Sequence, residues 1–239
     1  MTKEQRERIK AIFVRFLQER YKKVSKLSIT DLNVNPFLIK LLAPSLDMRE
    51  PRDVVRWLMQ QRLERGAVTS LGIALQDAAK VFSEGTGVEG ADILKTKEGT
   101  HYHIQIKSGP NTIPKGLGVR LASLLRSAQR RNRGSVALYG MCYGAPRQVS
   151  GIVRKYVRQE GGVDWLAGRA FWEFISDDPK CIDEVYNIAA EVAETFRAPD
   201  GRSLRQLIID RMEELTAQFI QLYGEDVDTM WANLLKLNS

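Results

Sequence analysis

Strand-forming sequence is confined to the middle of this chain, and that confinement limits its fold more than any other feature. Only about Val88–Lys95, Tyr102–Ser108 and Ser135–Tyr143 have the character of β-strands. On both sides of them apolar residues recur at helical spacing instead. The chain is therefore expected to be α/β, a central mixed β-sheet flanked by helices with helical N- and C-terminal parts. With 239 residues it is long enough for one large domain. A single domain is expected: a helical part over about 1–68, a core over about 69–160 and a second helical part over about 161–239.

The helices are marked by their apolar stripes and their ends. Ile9, Ile12, Phe13, Phe16, Leu17, Tyr21 and Val24 share one side of a first helix, with Lys and Arg on the other. Asn35-Pro36 breaks the chain before a short apolar helix, and two further helices are expected near Pro51–Arg65 and Ser70–Phe82. Pro114 opens a helix between the second and third strands. Asp178-Pro179 starts another, and Ser203 with Gln206 fits a capping box before the last long one.

Charge narrows the partners. There are 36 Lys and Arg against 29 Asp and Glu, a net charge of +7, which favours a polyanion. Two cysteines make no disulfide framework and suit a reducing compartment. The N-terminus is charged from its third residue, unlike a signal peptide, and no apolar run approaches the roughly 20 residues of a membrane span. A cytoplasmic protein without membrane partners is expected.

The chemistry gathers in the hairpin. Along the second strand Tyr102, Ile104 and Ile106 share one face, and His101, His103, Gln105 and Lys107 share the other. Glu98-Gly99 is the turn, so Asp92 on the first arm comes beside Gln105 and Lys107. Two readings fit. One is an ordinary hairpin with a solvated polar face. The other is a site for a hard divalent cation such as Mg²⁺, bound by an aspartate oxygen and an amide oxygen, with Lys107 offsetting charge on a phosphate. The two histidines could also hold a metal, but no cysteine stands close in sequence. Trp57, Trp165, Trp172, Trp231 and Cys142 read as packing residues.

The order GADI…HIQIKSG, then a helix, then a strand, resembles the nuclease core of the PD-(D/E)XK superfamily, and within it the type II restriction endonucleases. Asp92 matches the first aspartate of that pattern and Lys107 its lysine. Gln105 stands where a second acid is usual, so a further carboxylate is expected from Asp77 or, alternatively, Glu89. The segments Asn33–Phe37, Cys142-Tyr143-Gly144 and Phe171–Ile175 are similar to those of enzymes that cut interrupted GC-rich palindromes. The resemblance implies a Mg²⁺-dependent homodimer that hydrolyses double-stranded DNA at a specific sequence to give 5′-phosphates, in a prokaryotic cytoplasm, alongside a cognate DNA methyltransferase.

For DNA contacts, Asn111, Thr112 and Lys115 leave the end of the second strand directly. Arg126 and Arg130 lie opposite the stripe Leu117, Leu121, Leu124, Leu125 and Ala128, either as a solvated helix face or against the duplex or a second subunit. Arg147, Gln148 and Arg154 follow the third strand with side chains suited to base edges. Three functions compete: a restriction endonuclease, a repair or recombination nuclease of the same superfamily, and a basic DNA-binding protein without chemistry.

Overall fold

The computed structural model describes residues 1–85, 90–110 and 113–238. Two compact units divide the chain. Met1–Val14 and Leu71–Glu194 form one, and Arg15–Ser70 and Thr195–Ser239 form the other.

The first unit holds the sheet. Four strands, β1 (Ile93–Lys97), β2 (Thr100–Lys107), β3 (Val136–Met141) and β4 (Asp164–Ala167), lie in that order side by side. β1 and β2 are antiparallel, and the other two pairings are parallel. The expected mixed sheet is present, with β4 as an addition. Only four residues long, β4 offers too little alternation to be read in sequence.

A two-residue turn closes the β1–β2 hairpin. Glu98 and Gly99 both take positive φ, 49° and 77°, the backbone that matches the twist of paired strands. Parallel neighbours need a crossover, and helix α4 (Lys115–Arg131) supplies it between β2 and β3. Its Leu121, Leu125 and Ala128 are buried; Leu121 and Leu125 pack with Ala137, Tyr139 and Met141 of β3 and with Val153 and Val157 of a π-helix, Val153–Gln159.

The opposite face carries Ile104, Ile106 and Leu138, all buried, with helix α5 (Arg169–Ser176) against it. Burying each isoleucine contributes about 1.5–3 kcal/mol. Gly140 lies on this face beneath the Phe171 ring. A β-carbon there would come within 2.3–3.0 Å of three ring atoms. Trp172 donates its indole N–H to the carbonyl of Cys142 at 2.7 Å and meets Phe82 edge-on.

The free edge of β1 is covered. Leu94 N–H donates to Ser83 Oγ at 3.1 Å, and Thr96 N–H donates to the Glu84 carboxylate at 2.7 Å. Glu84 N–H in turn donates to Leu94 O at 2.9 Å. Lys95 ties the same edge to Glu84 at 3.1 Å and to Asp177 at 2.6 Å.

The second unit is helical. Helix α2 (Pro36–Leu42) begins at Asn35, whose side chain accepts from Leu38 N–H, as the Asn35-Pro36 break predicts. Helix α7 (Leu204–Tyr223) and helix α8 (Val227–Leu237) bring Leu215, Phe219, Met230 and Leu234 to a core shared with Ile39, Val54, Val55 and Leu58. Only half of the expected capping box forms. Ser203 Oγ accepts from Gln206 N–H at 3.2 Å, while the Gln206 amide turns forward to Asp210 at 2.8 Å.

Helix α1 (Lys3–Ser25) buries Ile9, Phe13, Tyr21 and Val24, as its stripe predicts. The two helices expected at 51–65 and 70–82 are one, α3 (Pro51–Lys80). Gly66 lowers helix propensity without breaking the hydrogen-bond ladder. Ser70 does not cap a new helix: its hydroxyl bonds back to Gly66 O at 2.7 Å. Helix α6 (Cys181–Thr195) follows Asp178, whose carboxylate accepts from Lys180 N–H at 2.9 Å.

Gly140→Ala tests the packing of the sheet. Phe171 is fully buried and has no room to swing away. The variant should lose about 1–3 kcal/mol of stability, measured by chemical denaturation.

Candidate active site

Register places the site. With Ile93 opposite Ile104, Asp92 stands opposite Gln105 just beyond the end of β1. Its backbone N–H continues the pairing by donating to Ile104 O at 2.8 Å. Asp92 Oδ2 accepts twice, from the side-chain amide of Gln105 and from the backbone N–H of Ile106 at 2.9 Å. Asp92, Gln105 and Lys107 are all half-buried.

Gln105 and Lys107 share a face of β2, as the alternation requires. That face lies under α4, because their register partners Tyr139 and Met141 belong to the cluster α4 covers. The group in contact with Asp92 is the Gln105 amide. Among the described residues the Lys107 ammonium has no ion-pair or hydrogen-bond partner. A half-buried cation without a counter-charge is costly, so a negatively charged ligand at this strand end would be stabilised.

Asp77, expected as a further ligand, lies on α3 and pairs with Lys80 at 3.5 Å. Burial pushes the Cys142 thiol far up; Asp92 adds to the rise and Lys80 opposes it. The Asp77–Lys80 pair and Asp92 therefore act on one buried sulfur. Among the described residues no three His, Cys, Asp or Glu side chains are grouped to hold a metal. Glu89, the alternative carboxylate, lies outside them.

One carboxylate and one amide are a sparse donor set. It fits a hard cation that keeps most of its water and takes other ligands from phosphate oxygens. Gln105 meets that requirement after a half-turn of its amide. As it stands, Nε2 faces Asp92; after the turn, Oε1 and the Asp92 oxygen converge on one point.

The DNA-binding candidates divide. Lys115, Arg126, Arg130 and Arg147 are exposed. Lys115 lies over the Tyr156 ring at 4.8 Å. Arg126 and Arg130 line a hollow of about 320 Å³ with Ser123, Ser127, Tyr156 and Glu160. Gln148 and Arg154 instead hold their own loop. Gln148 Oε1 accepts from Ala145 N–H at 2.7 Å. Arg154 donates to Val149 O at 3.0 Å and to Pro146 O at 2.7 Å. The 3₁₀ turn at Pro146–Gln148 leaves backbone groups that helix or sheet would have paired, and these two side chains meet them. Asn111 and Thr112 lie outside the described residues.

Two further polar side chains surround Gln105. His103, read in sequence as a neighbour of the site or a solvated strand residue, is 5% exposed, and neither ring nitrogen has a partner. Its pKa is lowered, by burial first and then by His101 and Arg131. The hydroxyl of Tyr139, on the next strand, is also buried and without a partner. Sequence reasoning missed Tyr139; a parallel β2–β3 register would have placed it beside Gln105.

Comparison with known families places the chain among the restriction endonucleases, nucleases that act on DNA. More narrowly, the model of the type II restriction endonuclease EcoO109I family matches residues 3–195, and the chain belongs to that family. The matched span takes in Asp77, Asp92, Gln105 and Lys107. No curated protein matches the chain.

Asp92 has a structural task that can be separated from its charge. Asp92→Asn keeps an oxygen for the Ile106 N–H and should melt within a few degrees of wild type. Asp92→Leu leaves that N–H without its acceptor and should cost about 1–3 kcal/mol in a denaturant titration.

Proposed function

We propose that this restriction endonuclease is a Mg²⁺-dependent, site-specific deoxyribonuclease of the PD-(D/E)XK type in which Gln105 replaces the second acid. Its reaction is hydrolysis of phosphodiester bonds in double-stranded DNA, leaving 5′-phosphates. The observation that carries this reading is the contact between Asp92 and Gln105 with Lys107 two residues further along the same face. The catalytic core is proposed at about 69–160 within a single nuclease domain.

Each side chain has a role. Asp92 and Gln105 would hold the cation, and Asp77 would contribute through its place near the same buried sulfur. A cation there would supply positive charge and Lewis acidity to the oxygens of the scissile phosphate. Lys107, an ammonium without a counter-ion among the described residues, would lie against that phosphate. It stabilises the extra negative charge that builds on the oxygens as water attacks, and it can donate a hydrogen bond to the attacking water.

Lys115, Arg126, Arg130 and Arg147 are the exposed cations proposed to meet the phosphate backbone. Two sites are needed to cut two strands, and a two-fold protein matches a palindromic target, so the working form is proposed to be a homodimer. A nuclease of this kind in the cytoplasm requires a methyltransferase that masks its sites in the cell's own DNA.

A supercoiled plasmid incubated with the protein and Mg²⁺ tests the reading. Discrete fragments are expected. Nicks or smears would favour a repair or recombination nuclease, and an unchanged plasmid a binding protein without chemistry. Lys107→Ala should lower cleavage by about 10²–10³-fold in both Mg²⁺ and Mn²⁺. Gln105→Glu should still cut, with a changed preference between the two metals, and Gln105→Leu should not. Full-rate cleavage by a folded, DNA-bound Lys107→Ala would sink the assignment.

Salt gives an independent check. Each phosphate neutralised by Lys or Arg releases a counter-ion, so log affinity should fall linearly with log salt, at a slope of about −0.9 per contact. A flat dependence would point to a partner other than nucleic acid.

A further inference from the structure

Gln105 sits on the middle of three paired strands, and its two flanks differ. On the β1 side is Asp92, which accepts the Gln105 amide N–H. On the β3 side its register partner is Tyr139, on the same face of the sheet. Paired residues of neighbouring strands stand about 5 Å apart, within reach of two side chains of this length. Tyr139 is fully buried, and its hydroxyl has no hydrogen-bond partner. A buried hydroxyl left unpaired costs about 1–3 kcal/mol, and phenylalanine would fill the same space without that cost.

The amide turn required for cation binding connects these observations. When Oε1 turns toward Asp92, the NH₂ group leaves the Asp92 side and points toward β3. There it needs an acceptor, and the Tyr139 hydroxyl provides one. We propose that Tyr139 is a positioning residue for Gln105, accepting the amide N–H in the orientation that presents the carbonyl oxygen to the cation.

Burial holds the phenol pKa far above its usual value, so the group stays a neutral hydroxyl with a lone pair to offer. The apolar wall around it, Leu121, Leu125 and Val153, supplies no competing donor. Tyr139 touches neither phosphate nor cation. It acts by stabilising one of two orientations of its neighbour.

This inference rests on the nuclease reading, and its test separates the two. In Tyr139→Phe, the melting temperature without divalent metal should equal or exceed that of wild type, because an unpaired hydroxyl has been removed. Calorimetry should show Mg²⁺ binding several-fold more weakly, and kcat in Mg²⁺ should fall about tenfold with KM for DNA unchanged. In the Gln105→Glu background there is no amide to orient, so adding Tyr139→Phe should change neither quantity. Wild-type Mg²⁺ affinity and rate in Tyr139→Phe would overturn the inference, as would an equal loss in the Gln105→Glu background. A lowered melting temperature or an unfolded Tyr139→Phe would also overturn it, since the hydroxyl would then be a structural partner. A cutting wild type with an indifferent Tyr139→Phe removes this inference alone. A wild type that cuts in no metal removes the nuclease reading and this inference with it.

Discussion

Asp92 Oδ2 holds together two things that the site needs at once. It accepts the backbone N–H of Ile106, extending the β1–β2 pairing one step past the last residue of β1. The same oxygen accepts the Gln105 amide, fixing the side chain that stands between β1 and β3. Without the first bond the strand end would splay, and without the second the amide would choose its own rotamer. Everything proposed for the site follows from this shared oxygen. Asp92 is a structural residue and a candidate ligand through one atom, so its charge and its geometry require different substitutions to separate.

The second constraint is coverage. A crossover between parallel strands must lay a helix on one face of the sheet, and here α4 lies on the face that carries His103, Gln105 and Lys107. These polar side chains are therefore half-buried or buried. A low-dielectric setting strengthens their interactions with charge, and it leaves His103 and Tyr139 without partners. Unpaired buried polar atoms are rare in folded proteins. Three of them, His103, Tyr139 and Trp165, lie in strands on this one sheet, the last two paired in register on β3 and β4.

What could be read from the sequence was local. The Glu98-Gly99 turn follows from two residues, and once it is placed, the period of two sets Asp92 opposite Gln105. The stripes of α1 and α4 and the Asn35 cap are similarly short-range. Reading failed where the answer depended on distant partners. His103 looks like a solvated strand residue until α4 is known to cover its face. Arg154 and Gln148 suit base edges in composition, yet the backbone carbonyl and amide groups of a 3₁₀ turn reach them first. Gly66 and Ser70 together look like a helix boundary, although one hydroxyl bonding back to the preceding turn is enough to continue α3. β4 needed β3 as a template.

The covered margin of β1 has a consequence for assembly. Ser83 and Glu84 occupy the donors of Leu94 and Thr96, and Lys95 is clamped by two carboxylates at the same margin. A strand from another chain would have to displace all of these before it found a single free N–H. On that side the sheet is closed to growth by hydrogen bonding, whether toward a continuous inter-subunit sheet or toward a fibril. Two copies that meet across a DNA duplex must therefore associate through other surfaces, leaving the β1–β2 hairpin free of the subunit joint.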